Sequence, residues 1–195
     1  MTRRIAGLFC VLVAAVLGGC ATTSGTTPQE KRQAVLSMRS DVLAELYKVH
    51  PRAREEVAAA PGYAVFDNAN VNIIIASFGG GYGVVRTAKT GKDVFMKMGE
   101  AGIGLGLGIK DFRAVFVFHD EATLERFIDS GWEFGGHADA AAKAGDKGGA
   151  VGKEILLDGI TIYQLTQSGL ALQATVKGTR YWQDDDLNGV APAAQ

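Results

Sequence analysis

The sequence predicts an α+β domain: a strongly curved antiparallel sheet or partly closed β-barrel, with N-terminal helices before it and another helix after Phe118. Three observations carry this. Apolar residues recur at helical spacing from Gln29 to Val49. The period switches to two after Pro61 and stays there for most of the next 57 residues, to Phe118. Within that region glycine alternates with branched aliphatics in "GEAGIGLGLGIKDF", Gly99 to Phe112.

Taken in order, Val35, Leu36, Val42, Leu43, Leu46 and Val49 fall at spacings of three, four and seven, one face of a helix. His50-Pro51 ends it, and Pro51 can open a second helix that runs from Arg52 to Ala60. Tyr63 to Phe66, Val71 to Phe78 and Gly81 to Arg86 read as strands, followed by a Lys89-Thr90-Gly91-Lys92 turn. Val94 to Met98, the glycine-alternating run and the β-prone Phe112 to Phe118 continue the sheet. Asp120 is placed to cap a helix whose apolar face is Leu124, Phe127 and Ile128, with Gly131 after its end. Ala138 to Ala144 adds a short alanine-rich helix, and 145–152 reads as mobile. Ile160 to Leu165 and Leu170 to Val176 read as a closing hairpin around Gln167-Ser168-Gly169.

The glycines need a cause. Alternate side chains of a strand point to opposite faces, so Gly102, Gly104, Gly106 and Gly108 would leave one face as bare backbone. Each interior glycine costs about 0.5–1 kcal/mol relative to alanine. Either something approaches that face closely or the sheet bends there. Gly79, Gly81 and Gly83 repeat the pattern. If the two strands are neighbours, their glycines form a shallow trough, filled by the protein itself or by an acyl chain. The dinucleotide fingerprint and the phosphate loop both fail: the run lacks glycines at n, n+2 and n+5, and Gly152-Lys153 is followed by Glu154.

Catalytic groups do not assemble in the sequence. His50, His119 and His137 are far apart, and there is no Gly-x-Ser-x-Gly elbow. His119-Asp120-Glu121 reads as a helix start. His137 with Asp139 supplies too few ligands for a metal. "DDDLNG" at Asp184–Gly189 opens like a calcium loop, but its twelfth position is Gln195 instead of a glutamate. It reads as a solvated acidic terminus. We expect no enzyme activity, no cofactor and no metal.

The N-terminus addresses the chain. Arg3-Arg4 precedes an apolar run, Ile5 to Leu17, too short to span a bilayer, and small residues follow. This is a secretory signal. Its end, Leu17-Gly18-Gly19-Cys20, resembles the bacterial lipobox. The resemblance implies cleavage before Cys20 and lipid attachment there, including palmitate as a typical acyl chain. Ordinary secretory cleavage and an uncleaved anchor are the alternatives. Ala21, in place of aspartate, favours the outer membrane by resemblance to lipoprotein sorting. Residues 1–19 are then the signal peptide, 20–28 a flexible tether, 29–183 the folded domain and 184–195 an acidic, flexible tail. Cys10 leaves with the signal and lipid consumes Cys20, so the mature chain has no free thiol and no disulfide.

The mature chain carries a net charge of −3, which argues against nucleic acid. The stretch from Gln29 to Arg54 is nevertheless locally +3. An apolar stripe flanked by Lys31, Arg32, Arg39, Lys48, Arg52 and Arg54 resembles an interfacial helix. A helix packed on the sheet with solvated charges satisfies the same pattern.

From about Ala53 to Trp182 the chain resembles the SYLF domain family. The resemblance rests on "PGYAVF" at 61–66, "GGGYGVV" at 79–85, "GIGLGLGIKDFRAVFVF" at 102–118, "LERFIDSGWEFGGHADAA" at 124–141 and "ITIYQLTQSGLALQATVKGT" at 160–179. It implies a lipid-binding module, with membrane contact through a basic segment before the core. The closest positions here are Arg39, Lys48, Arg52 and Arg54. The function expected is a non-catalytic phospholipid-binding lipoprotein, outer-membrane anchored and facing the periplasm. Its expected partner is an anionic phospholipid or membrane surface, with Gly102, Gly104, Gly106 and Gly108 as a second lipid contact. The alternative is an envelope scaffold or protein-interaction lipoprotein with no lipid site of its own.

Overall fold

The computed structural model describes residues 23–134, 153–157, 159–166 and 176–189. Helix α1 (Pro28–Val49) begins with a reciprocal cap. The Thr27 side chain accepts from the Glu30 N–H, and the Glu30 carboxylate accepts from the Thr27 N–H at 3.0 Å and the Thr26 N–H at 2.8 Å. These bonds hold the Glu30 carboxyl well below its ordinary value, at about 2, with the Thr26 hydroxyl as the largest cause. Val35, Met38, Val42 and Leu46 are buried along one face of α1. Burying four such side chains contributes roughly 6–12 kcal/mol before entropy is counted. The helix ends where Pro51 forces His50 out of helical geometry. A short second helix, α2 (Ala53–Ala59), follows and buries Ala53 and Val57.

Where the sequence reads as six short strands, the structure has two long ones. Strand β1 (Gly62–Thr87) and strand β2 (Asp93–Phe118) pair antiparallel from Gly62↔Phe118 to Arg86↔Asp93. Glycines that look like breaks in the pattern lie inside continuous strand. At ~3.3 Å per residue, 26 residues would extend about 85 Å, far beyond a domain of this size, so the hairpin has to curl. Its register shifts by one residue between Ile74 and Ala76, a bulge-type irregularity of the kind that bends strands.

Beyond the shift β1 returns against its own first half. A methyl group on Gly81 would collide with the Asp67 carbonyl, and one on Gly83 with the Val65 carbonyl and the Phe66 ring. Pro61 and Ala88 meet at the same seam, the Ala88 N–H donating to the Pro61 carbonyl at 2.8 Å.

Strand β2 is the axis of the sheet. One edge carries β1. The other is shared by β5 (Ile160–Thr166), opposite Phe112–Phe118, and β6 (Val176–Gln183), opposite Met96–Ile103. Strand β4 (Lys153–Leu157) extends the sheet beyond β5, and β3 (Trp132–Phe134) beyond β6. All pairings are antiparallel, and the result is the strongly curved α+β sheet that the sequence predicts.

Among the described residues each sheet face carries a buried cluster. Inside the curl lie Phe66, Met96, Met98, Phe116, Phe118 and Tyr181, closed by Leu124 and Phe127 of helix α3 (Glu121–Ser130). The Phe116 and Phe127 rings meet edge to face at 5.8 Å. On the opposite face Val65, Val84, Phe95, Val115, Val117 and Leu165 pack against the α1 stripe. Helix α3 is capped by Asp120, which accepts from the Thr123 N–H at 2.7 Å, and it ends at Gly131 with φ of 69°.

Several expectations change. In the described residues Ile160–Thr166 forms its hairpin with β4, while the other predicted arm, 170–176, lies outside them apart from Val176 in β6. The 138–144 helix and the 145–152 segment also lie outside. The front of the acidic tail is docked: helix α4 (Asp185–Asn188) buries Leu187, and the Asn188 side chain both accepts from the Phe95 N–H and donates to the Phe95 carbonyl. Within the predicted tether, Thr23 is buried and Thr26 and Thr27 engage Glu30.

Two outcomes follow from this packing. Gly83→Ala should cost about 1–3 kcal/mol of unfolding free energy in urea, whereas Gly99→Ala, whose added carbon meets only the Trp182 ring edge at 3.1 Å, should cost less. Glu30 has a folded pKa below its unfolded value of 4.5. Its contribution is therefore complete above about pH 4.5 and is lost as pH falls toward 2. Glu30→Gln should remove that part of the acid dependence, read by circular dichroism.

Candidate functional site

The four basic residues singled out in the sequence separate into two groups. Arg39 is half-buried and bonded to Asp93 at 2.7 Å, and Arg86 reaches the same carboxylate at 3.1 Å. With Glu45–Arg113 at 3.1 Å, this pair pins α1 to the hairpin on either side of its apolar stripe. Lys48, Arg52 and Arg54 instead stand exposed at the elbow between α1 and α2. No ion pair among the described residues uses any of them. The Arg54 guanidinium lies 4.5 Å over the Tyr47 ring, a cation–π contact.

The elbow also presents Val49, one of two large apolar side chains exposed among the described residues. Beside it is a cleft of about 440 Å³ lined by Val49, His50, Pro51, Arg52, Ala53, Glu56 and Tyr163. The Tyr163 hydroxyl donates to Glu56, and the His50 ring lies 5.6 Å from the Tyr163 ring. Burial pushes the nearby Tyr47 phenol up, opposed by the Arg54 charge. Two exposed cations and a third stacked on tyrosine, around an apolar tip, can receive an anionic surface.

The glycine positions also separate. Gly79, Gly81 and Gly83 stand opposite Glu100, Met98 and Met96, while Gly102, Gly106 and Gly108 stand opposite Ser77, Ile74 and Asn72. The two glycine runs do not line up into one trough. Around Gly81 and Gly83 the bare backbone is filled by the first half of β1. Cys20 lies outside the described residues.

Sequence reasoning missed a buried polar pair. Glu100 is 6 % exposed and Asn68 is 1 % exposed, with Asn68 Nδ2 donating to Glu100 Oε2 at 3.0 Å. Asn68 belongs to the first half of β1 and Glu100 to β2 opposite the second half, so the bond crosses the folded hairpin. Tyr181 is buried on the same side, and burial together with the Glu100 charge pushes its phenol far up. The signal was available: Glu100 shares parity with Met96 and Met98, which marks an inward-facing carboxylate. Glu100 also lines a second cleft of about 420 Å³ with Gly79, Gly99, Ala101, Gly178 and Thr179, beside the Glu133–Arg180 pair. Among the described residues, no three His, Cys, Asp or Glu side chains gather as metal ligands.

Asp93→Asn weakens both arginine contacts and should cost about 1–2 kcal/mol in chemical denaturation. Lys48→Gln, which breaks no ion pair, should stay within about 0.5 kcal/mol of the parent.

Comparison with known proteins gives two matches. Residues 99–191 match the family model described as "Ysc84: Las17-binding protein actin regulator"; this segment takes in most of β2 and every element after it. A relative described as beta cell expansion factor A, from Aeromonas veronii, is 35% identical over 164 residues, covering 83% of this chain and 60% of the relative. The chain thus spans less than two thirds of that protein's length. The motif order from "PGYAVF" onward, the curved sheet that those motifs build and the two matches converge: the chain belongs to the SYLF family.

Proposed function

We propose that the protein is a non-catalytic phospholipid-binding lipoprotein of the bacterial envelope, anchored at Cys20, that receives anionic lipid at the α1–α2 elbow. The observation that carries this reading is the exposed cluster of Lys48, Arg52 and Arg54 around Val49. A basic side chain near an anionic leaflet contributes about 1 kcal/mol, and an exposed valine can add apolar contact. The stripe of α1 is buried against the sheet, so this reading assigns the contact to the helix end and not to its whole length. Arg39, held by Asp93, serves the fold.

A second reading, a protein-interaction lipoprotein without a lipid site, draws support from the family description, which names a protein-binding regulator. Vesicle sedimentation separates the two. The chain from Ala21 onward should sediment with phosphatidylglycerol vesicles at low salt and lose that binding as salt rises. Reversing Lys48, Arg52 and Arg54 to glutamate should weaken it by about a hundredfold or more. Absence of vesicle binding, with one stoichiometric protein recovered by crosslinking in the envelope, would favour the second reading.

A further inference from the structure

Residues four apart on a helix share a face, and opposite charges at that spacing ordinarily meet. Arg52 and Glu56 have this spacing across the first turn of α2, where the Glu56 N–H donates to the Arg52 carbonyl at 3.3 Å. Among the described residues no ion pair joins their side chains, and none engages the Arg52 guanidinium elsewhere. A cation placed before a carboxylate is the weaker order for such a pair. The carboxylate is also drawn away: it accepts from the Tyr163 hydroxyl on β5. Tyr163 is buried, so Glu56 is held against the sheet, while Arg52 stands exposed. Both side chains line the 440 Å³ elbow cleft, and Val49 adds an apolar wall. The cleft therefore presents opposite charges that are separated from each other.

We propose that this cleft binds a zwitterionic phosphoethanolamine group, with its phosphate on Arg52 and its ammonium on Glu56. The inference rests on the elbow as the lipid-contact site and names the head group that the elbow selects. A guanidinium can grip a phosphate through two parallel N–H bonds. A carboxylate offers about four acceptor positions, and an ammonium brings three N–H donors with the opposite charge. Tyr163 fills one of the Glu56 positions. Heads of a single sign fit worse, because a second phosphate would meet Glu56 and a bare amine would meet Arg52. A glycerol head supplies hydroxyl donors but leaves the Glu56 charge uncompensated. A choline head has the charge and no N–H. Lys48 and Arg54 lie outside the cleft lining and respond to the net charge of a leaflet. Attraction to an anionic surface and selection of one head group are then tasks of neighbouring side chains. The group can arrive on a membrane lipid or on a soluble phosphate ester.

The test is an NMR titration of the full-length protein, solubilised in a nonionic detergent, with glycerophosphoethanolamine. Glycerophosphoglycerol and glycerophosphocholine are the comparison ligands. Saturable binding of the ethanolamine ester at least tenfold tighter than either is expected. Arg52→Gln removes the partner of the shared phosphate and should weaken all three tenfold or more. Glu56→Gln keeps an oxygen for the Tyr163 hydroxyl and removes only the charge. It should bring the ethanolamine ester down to the level of the glycerol ester without weakening the latter, a pattern that general damage to the cleft would not give. No saturable binding of the ethanolamine ester below about 10 mM, equal binding of the choline ester, or an ethanolamine preference retained in Glu56→Gln overturns the proposal. If Glu56→Gln fails to fold, unchanged binding in Arg52→Gln, at an exposed side chain, overturns it alone. Vesicles with a fixed phosphatidylglycerol fraction, completed with phosphatidylethanolamine or phosphatidylcholine, identify the source. A severalfold gain from phosphatidylethanolamine supports a membrane lipid, and soluble binding without that gain supports a soluble ester at the same site. Vesicle binding without head-group binding overturns this inference and leaves the elbow reading standing; head-group binding without vesicle binding does the reverse.

Discussion

The fold depends on one close approach: the two halves of β1 pass each other at backbone distance, with Gly81 and Gly83 against the carbonyls of Asp67 and Val65. Everything inside the curl needs that contact. It brings Phe66 from the first half and Met96 and Met98, which pair with the second half, into a single core with Phe127 of α3. Any side chain at Gly83 would separate them. The conformational cost of glycine in a strand, about 0.5–1 kcal/mol each, is small beside burial of that aromatic core. A large side chain contributes roughly 1.5–3 kcal/mol when fully buried.

The curl also explains how the charges are distributed. A sheet with a buried cluster on each face leaves few places for ionisable groups, and those at the α1–hairpin boundary are paired: Arg39 and Arg86 with Asp93, Arg113 with Glu45 and Asp67. These contacts flank the stripe that α1 gives to the sheet, and fix the rotation of the helix about its axis. Past Leu46, where α1 overhangs its last buried position, its basic side chains leave the sheet. The elbow cluster is thus a consequence of where packing stops.

Legibility in the sequence followed the range of the interaction. Helix α1 and its end at His50-Pro51, and α3 between Asp120 and Gly131, were readable because caps and breakers act within a few residues. The sheet class was readable from period-two patterning. Strand continuity through Gly79–Gly83 and Gly99–Gly108 was not, because glycine marks a turn and a close approach equally well. Strand β4, "KEILL", gave too short a pattern to separate from its glycine-rich surroundings. The fate of "DDDLNG" hung on Asn188 meeting the backbone of Phe95, a partner far away in the chain. Arg39 and Lys48 looked alike on one amphipathic helix. They differ because Asp93, beyond a whole strand, reaches Arg39 and not Lys48. Glu100 is readable by parity, but the glycines around it dominate the pattern of the stretch.

The proposed anchor and the proposed elbow constrain each other geometrically. Helix α1 has 22 residues, about 33 Å at 1.5 Å per residue, and its start and the elbow are its two ends. The tether is shorter than its composition suggests. Thr23 is buried, and the Glu30 cap gathers Thr26 and Thr27 onto the helix. Two residues, Ala21 and Thr22, then join Cys20 to Thr23, a span of at most about 11 Å. With the helix start tied to the lipid surface in this way, the elbow at the far end meets the same membrane when α1 lies close to its plane. A steeper tilt carries Lys48, Arg52 and Arg54 beyond the Debye length of about 8 Å, and their attraction is screened away. Lipid contact at the elbow therefore requires the whole body to lie along the bilayer, with α1 as its long edge.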